Sequence, residues 1–397
     1  MPRSGIEECP WALFERDPDK GTAEAAFLAA EHGPPSPTQL RELPLRRSRD
    51  FCHGLLDTRG GAAALSCGMT TLHGTLALTL FLGLGALGLR PSTLPAGQGP
   101  AAAPDERLAV LVTGASSGIG RVTAEFLAEN GFYVYAGARK QADLDALSAL
   151  ENIEGIRLDV TVQAEIDAAV ETVRKGGRGL YGLINNAGVG VIGPLIELSE
   201  QDLMFQLDVN VLGPYRVTKA FAPLLIESGG RVSTTGSISG TLTWSMGGAY
   251  TMSKHAVEAY SETLALELEP FGVRVSIVEP GNYDSDIMAS MAARMQAAGY
   301  TAENSRYKQQ MQRFVETPQD RSQHKAPDEV AQAFLHALTD EDPKGHYMVV
   351  PNQREAEITI AAAINRVVQL NRDQPYSYTR EQLIAMLDAQ LAAAGTR

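Results

Sequence analysis

Hydrophobic and polar positions alternate with two different periods along most of this chain. Residues 108–112, 132–136 and 180–184 are short apolar runs of the kind that form strands buried on both faces. Residues 156–160, 274–278 and 346–350 read as further strands, and an apolar run just before Ser237 reads as another strand end. Between them, apolar side chains recur at helical spacing over 122–127, 167–173 and 330–338. The first of these stops at Asn130-Gly131, a C-cap signal. Strands alternating with helices predict an α/β protein with a doubly wound parallel sheet.

The flanks have a different character. Residues 1–68 mix proline, arginine, glycine and acids without a period and read as a disordered extension. Residues 69–90 are apolar and Gly-rich, and three readings stay open: a membrane anchor, a signal-peptide h-region if translation begins at Met69, or a packed helix. Arg46, Arg47, Arg49 and Arg59 precede the segment, and the positive-inside bias would then place the rest of the chain outside. A start at Met69 removes that conflict; an export signal at Arg46-Arg47 fits poorly, because polar residues follow it. Residues 91–106 read as a linker, 107–352 as the single folded domain and 353–397 as a helical tail.

Composition narrows the choice of function. The 397 residues carry a net charge of −13 and no basic stripe, so nucleic acid is not an expected partner. Cys9, Cys52 and Cys67 all precede the domain, which therefore has no disulfide and no thiolate metal ligand. The histidines show no ligand spacing, and no metal is expected.

The candidate chemistry begins at the first strand. Gly114-Ala115-Ser116-Ser117-Gly118-Ile119-Gly120 joins it to the first helix. Strand, glycine turn and helix N-terminus are the setting in which backbone N–H groups hold a pyrophosphate. The second strand ends at Arg139 and Lys140, where NAD binders carry an acid for the ribose hydroxyl. Cations there favour a 2′-phosphate and predict NADP(H) over NAD(H); the bland alternative is two solvated side chains. Asp159, at the end of the third strand, could accept from the adenine amino group. Asn185-Asn186-Ala187-Gly188 ends the fourth, where small residues let the backbone pass close to a cofactor.

Further on, Tyr250 and Lys254 lie four residues apart and share one face if their segment is helical. A free tyrosine ionises near pH 10, and a neighbouring ammonium lowers that value. A phenol tuned in this way can take a proton from an alcohol or give one to a ketone.

Together, Gly114-x-x-x-Gly118-x-Gly120, Asn185-Asn186-Ala187-Gly188, Asn210, Ser237, Tyr250 and Lys254 resemble the short-chain dehydrogenase/reductase family across about residues 107–352. Pro270-Phe271-Gly272-Val273 and Glu279-Pro280-Gly281-Asn282-Tyr283 are most similar to its retinol and 17β-hydroxysteroid dehydrogenase branch. The resemblance implies a Rossmann fold with Tyr250 as proton donor or acceptor and Lys254 as its tuning cation and ribose ligand. Ser237 would hold the reacting oxygen, and Asn210 a water in the proton relay. Gly114, Ser116, Ser117, Gly118, Ile119, Gly120, Arg139, Asp159, Val160, Asn186, Ala187, Gly188, Pro280 and Gly281 would line the cofactor with Tyr250 and Lys254. Family members often carry a Thr after Pro280-Gly281 for the carboxamide; here the neighbourhood of Ser285 must serve.

Ile287, Met288, Met291 and Met295 follow at helical spacing and suit an adaptable lid or ordinary packing. With Trp244 and Met246 they favour a small hydrophobic substrate, a steroid-, retinoid- or lipid-like alcohol or carbonyl. Reduction of a 3-oxoacyl or small ketone, and a non-catalytic dinucleotide sensor, are the alternatives. A cytoplasmic catalytic domain and a homodimer through Ala256, Tyr260, Leu264 and Leu268 complete the expectations.

Overall fold

The computed structural model describes residues 107–316 and 324–395. The expected extension 1–68, apolar segment 69–90 and linker 91–106 lie outside the described residues. No helix among the described residues is long and apolar enough to cross a membrane.

Seven parallel strands form one sheet in the order β3-β2-β1-β4-β5-β6-β7. They are β1 (Ala109–Val112), β2 (Tyr133–Ala138), β3 (Ile153–Arg157), β4 (Gly182–Asn185), β5 (Arg231–Thr235), β6 (Arg274–Pro280) and β7 (His346–Val349). All four residues of β1 are buried, as its unbroken apolar run requires in a sheet covered on both sides. One face packs against α3 (Gln163–Gly176), α5 (Gly213–Ser228) and the end of α6 (Gly248–Leu268), through Ile166, Val173, Val217, Phe221 and Leu268. The other packs against α1 (Gly118–Glu129), α2 (Gln141–Ser148) and α9 (Asp328–Thr339), through Leu127, Leu147, Val330 and Phe334. Between β1 and β4 the winding reverses, which opens a crevice at the carboxyl ends of the strands.

The sequence pattern misplaced some edges. The third strand is Ile153–Arg157, three residues earlier than the apolar run 156–160 suggests. Asn152, at φ 61, turns the chain into the sheet, and Glu154 and Gly155 hide the strand's start in the hydropathy pattern. Helix α2 left no readable period because only Leu144 and Leu147 of its eight residues are buried. The strand end expected just before Ser237 is β5, although the polar residues Ser233 and Thr234 are buried in its middle.

Helix α4 (Glu200–Leu207) runs through a π-turn at Asp208–Leu212 into α5. Helices α7 (Ile287–Ala297) and α8 (Lys308–Glu316) follow β6, and the expected C-terminal tail is two helices, α10 (Gln353–Asn371) and α11 (Arg380–Gly395).

Candidate active site

All eighteen residues assigned from the sequence line one cleft of about 780 Å³ at the crevice. Each wall has a local cause. At its floor, Gly114 adopts φ 67, which favours glycine, and a Cβ there would lie 2.7 Å from the Cα of Ala187. Gly118 has φ 54 and faces Ser285. Ser117 begins α1 in extended conformation without using its hydroxyl as a cap, so the first turn's N–H groups stay open to an anionic group. The glycine cradle and this helix start fit a dinucleotide.

A hydrogen-bonded line runs from that floor to the lysine. Thr113 Oγ1 accepts from the backbone N–H groups of Asn186 and Ala187, each at 2.9 Å. The Asn186 amide donates to the carbonyls of Thr113 and Gly114 at 3.1 and 3.2 Å. Its oxygen accepts from Thr235 Oγ1 at 3.2 Å, and the Thr235 carbonyl accepts from Lys254 Nζ at 2.7 Å. Thr113 follows β1 and Thr235 ends β5, and neither threonine carries a motif that would mark it in the sequence.

Tyr250 and Lys254 project from the first two turns of α6, with Nζ 5.7 Å from the centre of the phenol ring. Burial pushes the Lys254 ammonium down to about 8, while the carboxyl of Glu258 acts in the opposite direction. Ser237 leads into the short helical turn Ile238–Gly240 after β5, and its hydroxyl accepts from the Ser239 N–H at 3.1 Å. That bond fixes the serine while leaving its proton free to donate.

Asn210 sits in the π-turn. Its amide donates to Val189 O at 3.0 Å and Ser253 Oγ at 3.1 Å, and its oxygen accepts from Val189 N at 2.8 Å. Both donors are therefore used inside the protein, and one oxygen lone pair remains for a water.

At the adenosine end, Arg139 is 64% exposed and its Nη1 lies 3.8 Å from Asp159 Oδ2. Asp159 Oδ1 accepts from Thr161 N and Oγ1 at 2.9 and 2.7 Å. Burial alone would raise that carboxyl, but the Thr161 bonds and Arg139 hold it below its ordinary value. Lys140 does not line the cleft; it starts α2.

At the opposite end, Phe205, Leu242, Trp244, Ile287, Met288 and Met291 form an apolar wall. Met246 and Met295 correct the expectation: neither lines the cleft, and both are buried in a side cluster with Ile192 and Met311. Met246 takes φ 75 and turns its carbonyl to Gly193 N at 2.9 Å, which directs its side chain into that cluster. The α7 wall is pinned to α4: Arg294 Nη2 lies 2.8 Å from Asp202 Oδ1, and Tyr300 OH donates to Oδ2 at 2.8 Å. The helical tail also reaches the cleft. Ile358 lines it, and Glu355 Oε2 accepts from Asn282 N at 2.8 Å.

A second titratable group lies behind α6. A carboxyl oxygen each of Glu258 and Glu279 and a ring nitrogen of His346 lie within 4.8 Å of one another. Nothing in their sequence spacing suggests it, because three different elements contribute.

This geometry defines a class. Residues 108–296 match the family model for short chain dehydrogenases, and over that stretch the chain is similar to the short-chain dehydrogenase/reductase family. It is 38% identical over 174 residues to the oxidoreductase YbbO of Escherichia coli, covering 43% of this chain and 64% of that protein. It is 40% identical over 183 residues to retinol dehydrogenase 16 of Rattus norvegicus, covering 45% and 57%. A solved short-chain dehydrogenase/reductase from Burkholderia phymatum, in complex with NAD, superposes with a TM-score of 0.56 at 25% identity, covering 70% of this chain and all of that one (100%). The match thus spans less than two thirds of the two curated relatives' lengths.

Proposed function

We propose that this chain is an NADP(H)-dependent oxidoreductase that interconverts a hydrophobic alcohol and its ketone or aldehyde. One observation carries the reading: Ser237, Tyr250 and Lys254 open into the same cleft as the glycine turn. The bound nicotinamide would supply or accept hydride. The chain's own part is to place and protonate. Ser237 and Tyr250 would both bond the reacting oxygen, and Tyr250 would take the alcohol proton or deliver one to the carbonyl. Lys254 favours the phenolate by charge and would also bond the ribose. Arg139 supports NADP(H), since its guanidinium is exposed at the adenosine end and could meet a 2′-phosphate.

The apolar wall of Phe205, Trp244, Ile287, Met288 and Met291 supports a steroid-, retinoid- or lipid-like substrate. We place the domain with the cytoplasmic nicotinamide pool. A homodimer through α6 is part of the proposal, because Ala256, Tyr260 and Leu264 flank an apolar groove against Tyr215 of α5. Leu268 lines the same groove while most of its side chain packs into the domain's own core.

The test is NADPH consumption by the full chain over a panel of steroid, retinoid and 3-oxoacyl ketones. Tyr250→Phe should lower kcat by about 10²–10⁴-fold. A Tyr250→Phe protein with full turnover would refute the assignment. Preference for the 3-oxoacyl compounds would favour the alternative reductase, and dinucleotide binding without any turnover would favour a sensor.

A further inference from the structure

Glu258 follows Lys254 by one helical turn, as Lys254 follows Tyr250, so the three share a face of α6. Its carboxyl packs beneath the segment that carries Ser237. A Cβ at Gly236 would lie 3.0 Å from Glu258 Oε1, and one at Gly240 would collide with it. Both carboxyl oxygens are buried, and neither accepts from a fixed N–H or O–H. The group close enough to bond is the Glu279 carboxyl of β6, and two carboxyls bond only when one is protonated. Burial first, and Glu279 second, push the Glu258 carboxyl up to about 8.

His346 on β7 connects this pair to solvent. Its Nδ1 lies 2.7 Å from Glu279 Oε1 and 3.6 Å from Glu258 Oε2, and its Nε2 lies 3.4 Å from Glu262 Oε1. The bond to Glu279 holds the imidazole above its ordinary value, and the ring is half-exposed. On the other side stands Lys254, whose ammonium is disfavoured by burial and favoured by the Glu258 charge.

We propose that Glu258 is a positioning residue for the Lys254–Tyr250 pair: its charge, set by Glu279 and His346, decides how firmly Lys254 keeps its proton. The inference rests on the roles assigned to Tyr250 and Lys254 above. The charged groups that face Glu258 are Lys254 and Glu262 from its own helix, Glu279 from β6 and His346 from β7. The Gly236–Gly240 segment brings none. As pH rises and Lys254 begins to lose its proton, Glu258 becomes anionic and opposes that loss. The lysine therefore stays cationic to higher pH than burial alone would permit, and the phenolate keeps its partner.

Glu258→Gln tests this, because glutamine nearly matches the size of the protonated acid and should fold. It removes the charge that favours the ammonium. The alkaline limb of kcat for alcohol oxidation should move to lower pH by about one unit. His346→Gln removes a group that favours the Glu258 carboxylate, so it should shift the limb the same way but less. A second readout needs neither cofactor nor substrate: ultraviolet phenolate titration of each protein against its Tyr250→Phe counterpart. Tyr250 should ionise at higher pH in Glu258→Gln than in the wild type. If folded Glu258→Gln has a wild-type limb and a wild-type phenolate titration, the proposal is overturned. A wild-type limb that moves when EDTA is added would make the cluster a cation site and also overturn it. Absence of turnover in the wild type with an intact titration shift would count against the oxidoreductase reading while supporting this one.

Discussion

Lys254 donates a 2.7 Å hydrogen bond to the carbonyl of Thr235 while its whole side chain is buried. The bond holds the ammonium at the end of β5, between the phenol ring and the Asn186–Thr113 line. Buried amines without a carboxylate contact are uncommon, and this one is held by a backbone dipole and by charge at longer range.

Replacing Lys254 with methionine should therefore lower kcat/KM by about 10²–10³-fold and leave the fold intact, since the buried charge is costly to keep. Steady-state kinetics together with a thermal melt check this. A melting temperature equal to or above wild type, with activity lost, is the expected pair of results.

Arg139→Ala should weaken NADPH binding about tenfold and leave NADH binding unchanged, the modest size following from an exposed guanidinium. Titration of both dinucleotides by quenching of protein fluorescence measures it. Equal loss for the two, or none for either, would refute the 2′-phosphate assignment.

Gly114→Ala combines an unfavourable φ of 67 with a Cβ 2.7 Å from the Ala187 backbone. The backbone at Ala187, held by its N–H bond to Thr113 just past β4, cannot yield cheaply there, so both dinucleotide affinity and stability should fall, the latter by about 1–3 kcal/mol. Denaturant unfolding without ligand separates the two effects.

Asp202 joins the substrate wall to α4. Burial would raise its carboxyl, but bonds from Ser199, Tyr300 and Arg294 outweigh that and hold it below its ordinary value. Asp202→Asn keeps the shape and loses the charge, leaving Arg294 without its partner. KM for a hydrophobic substrate should rise about 5- to 30-fold, about 1–2 kcal/mol, with kcat little changed. An unaltered KM would show that α7 needs no such anchor.

Stability should depend on pH through Glu258. Its ordinary value is 4.5 and its folded value about 8, so between these the folded protein holds a proton that the unfolded chain releases. That contribution is complete below 4.5 and is lost as pH rises to about 8. The melting temperature of Glu258→Gln relative to wild type should therefore climb across this window. A constant difference would show that Glu258 is not protonated when folded.

Much of the site was legible in the chain itself. The Tyr250/Lys254 spacing, the glycine turn and the apolar runs are local, and local patterns survive in a sequence because each comes from a single element's geometry. The true start of the third strand at Ile153 and the helix Gln141–Ser148 were not legible, because few of their residues are buried. Met295 packs in the side cluster, and its spacing does not record this: helical spacing tells which side chains share a face, not which cavity the face meets. Met246, outside any helix, was misplaced because its position in the chain does not record the φ of 75 that turns it from the cleft.

By itself, the order of residues determined the alternating sheet, the carboxyl-end crevice and the placing of Tyr250 and Lys254 on one helical face, since backbone propensity and periodic burial act over short distances. Only the folded molecule decided that Thr235 would hold Lys254, that Glu355 of the tail would meet the β6 loop, and that Glu258, Glu279 and His346 would share a proton-rich niche. Those contacts join elements far apart in the chain. Their energies depend on desolvation and distance, which no spacing along the sequence records.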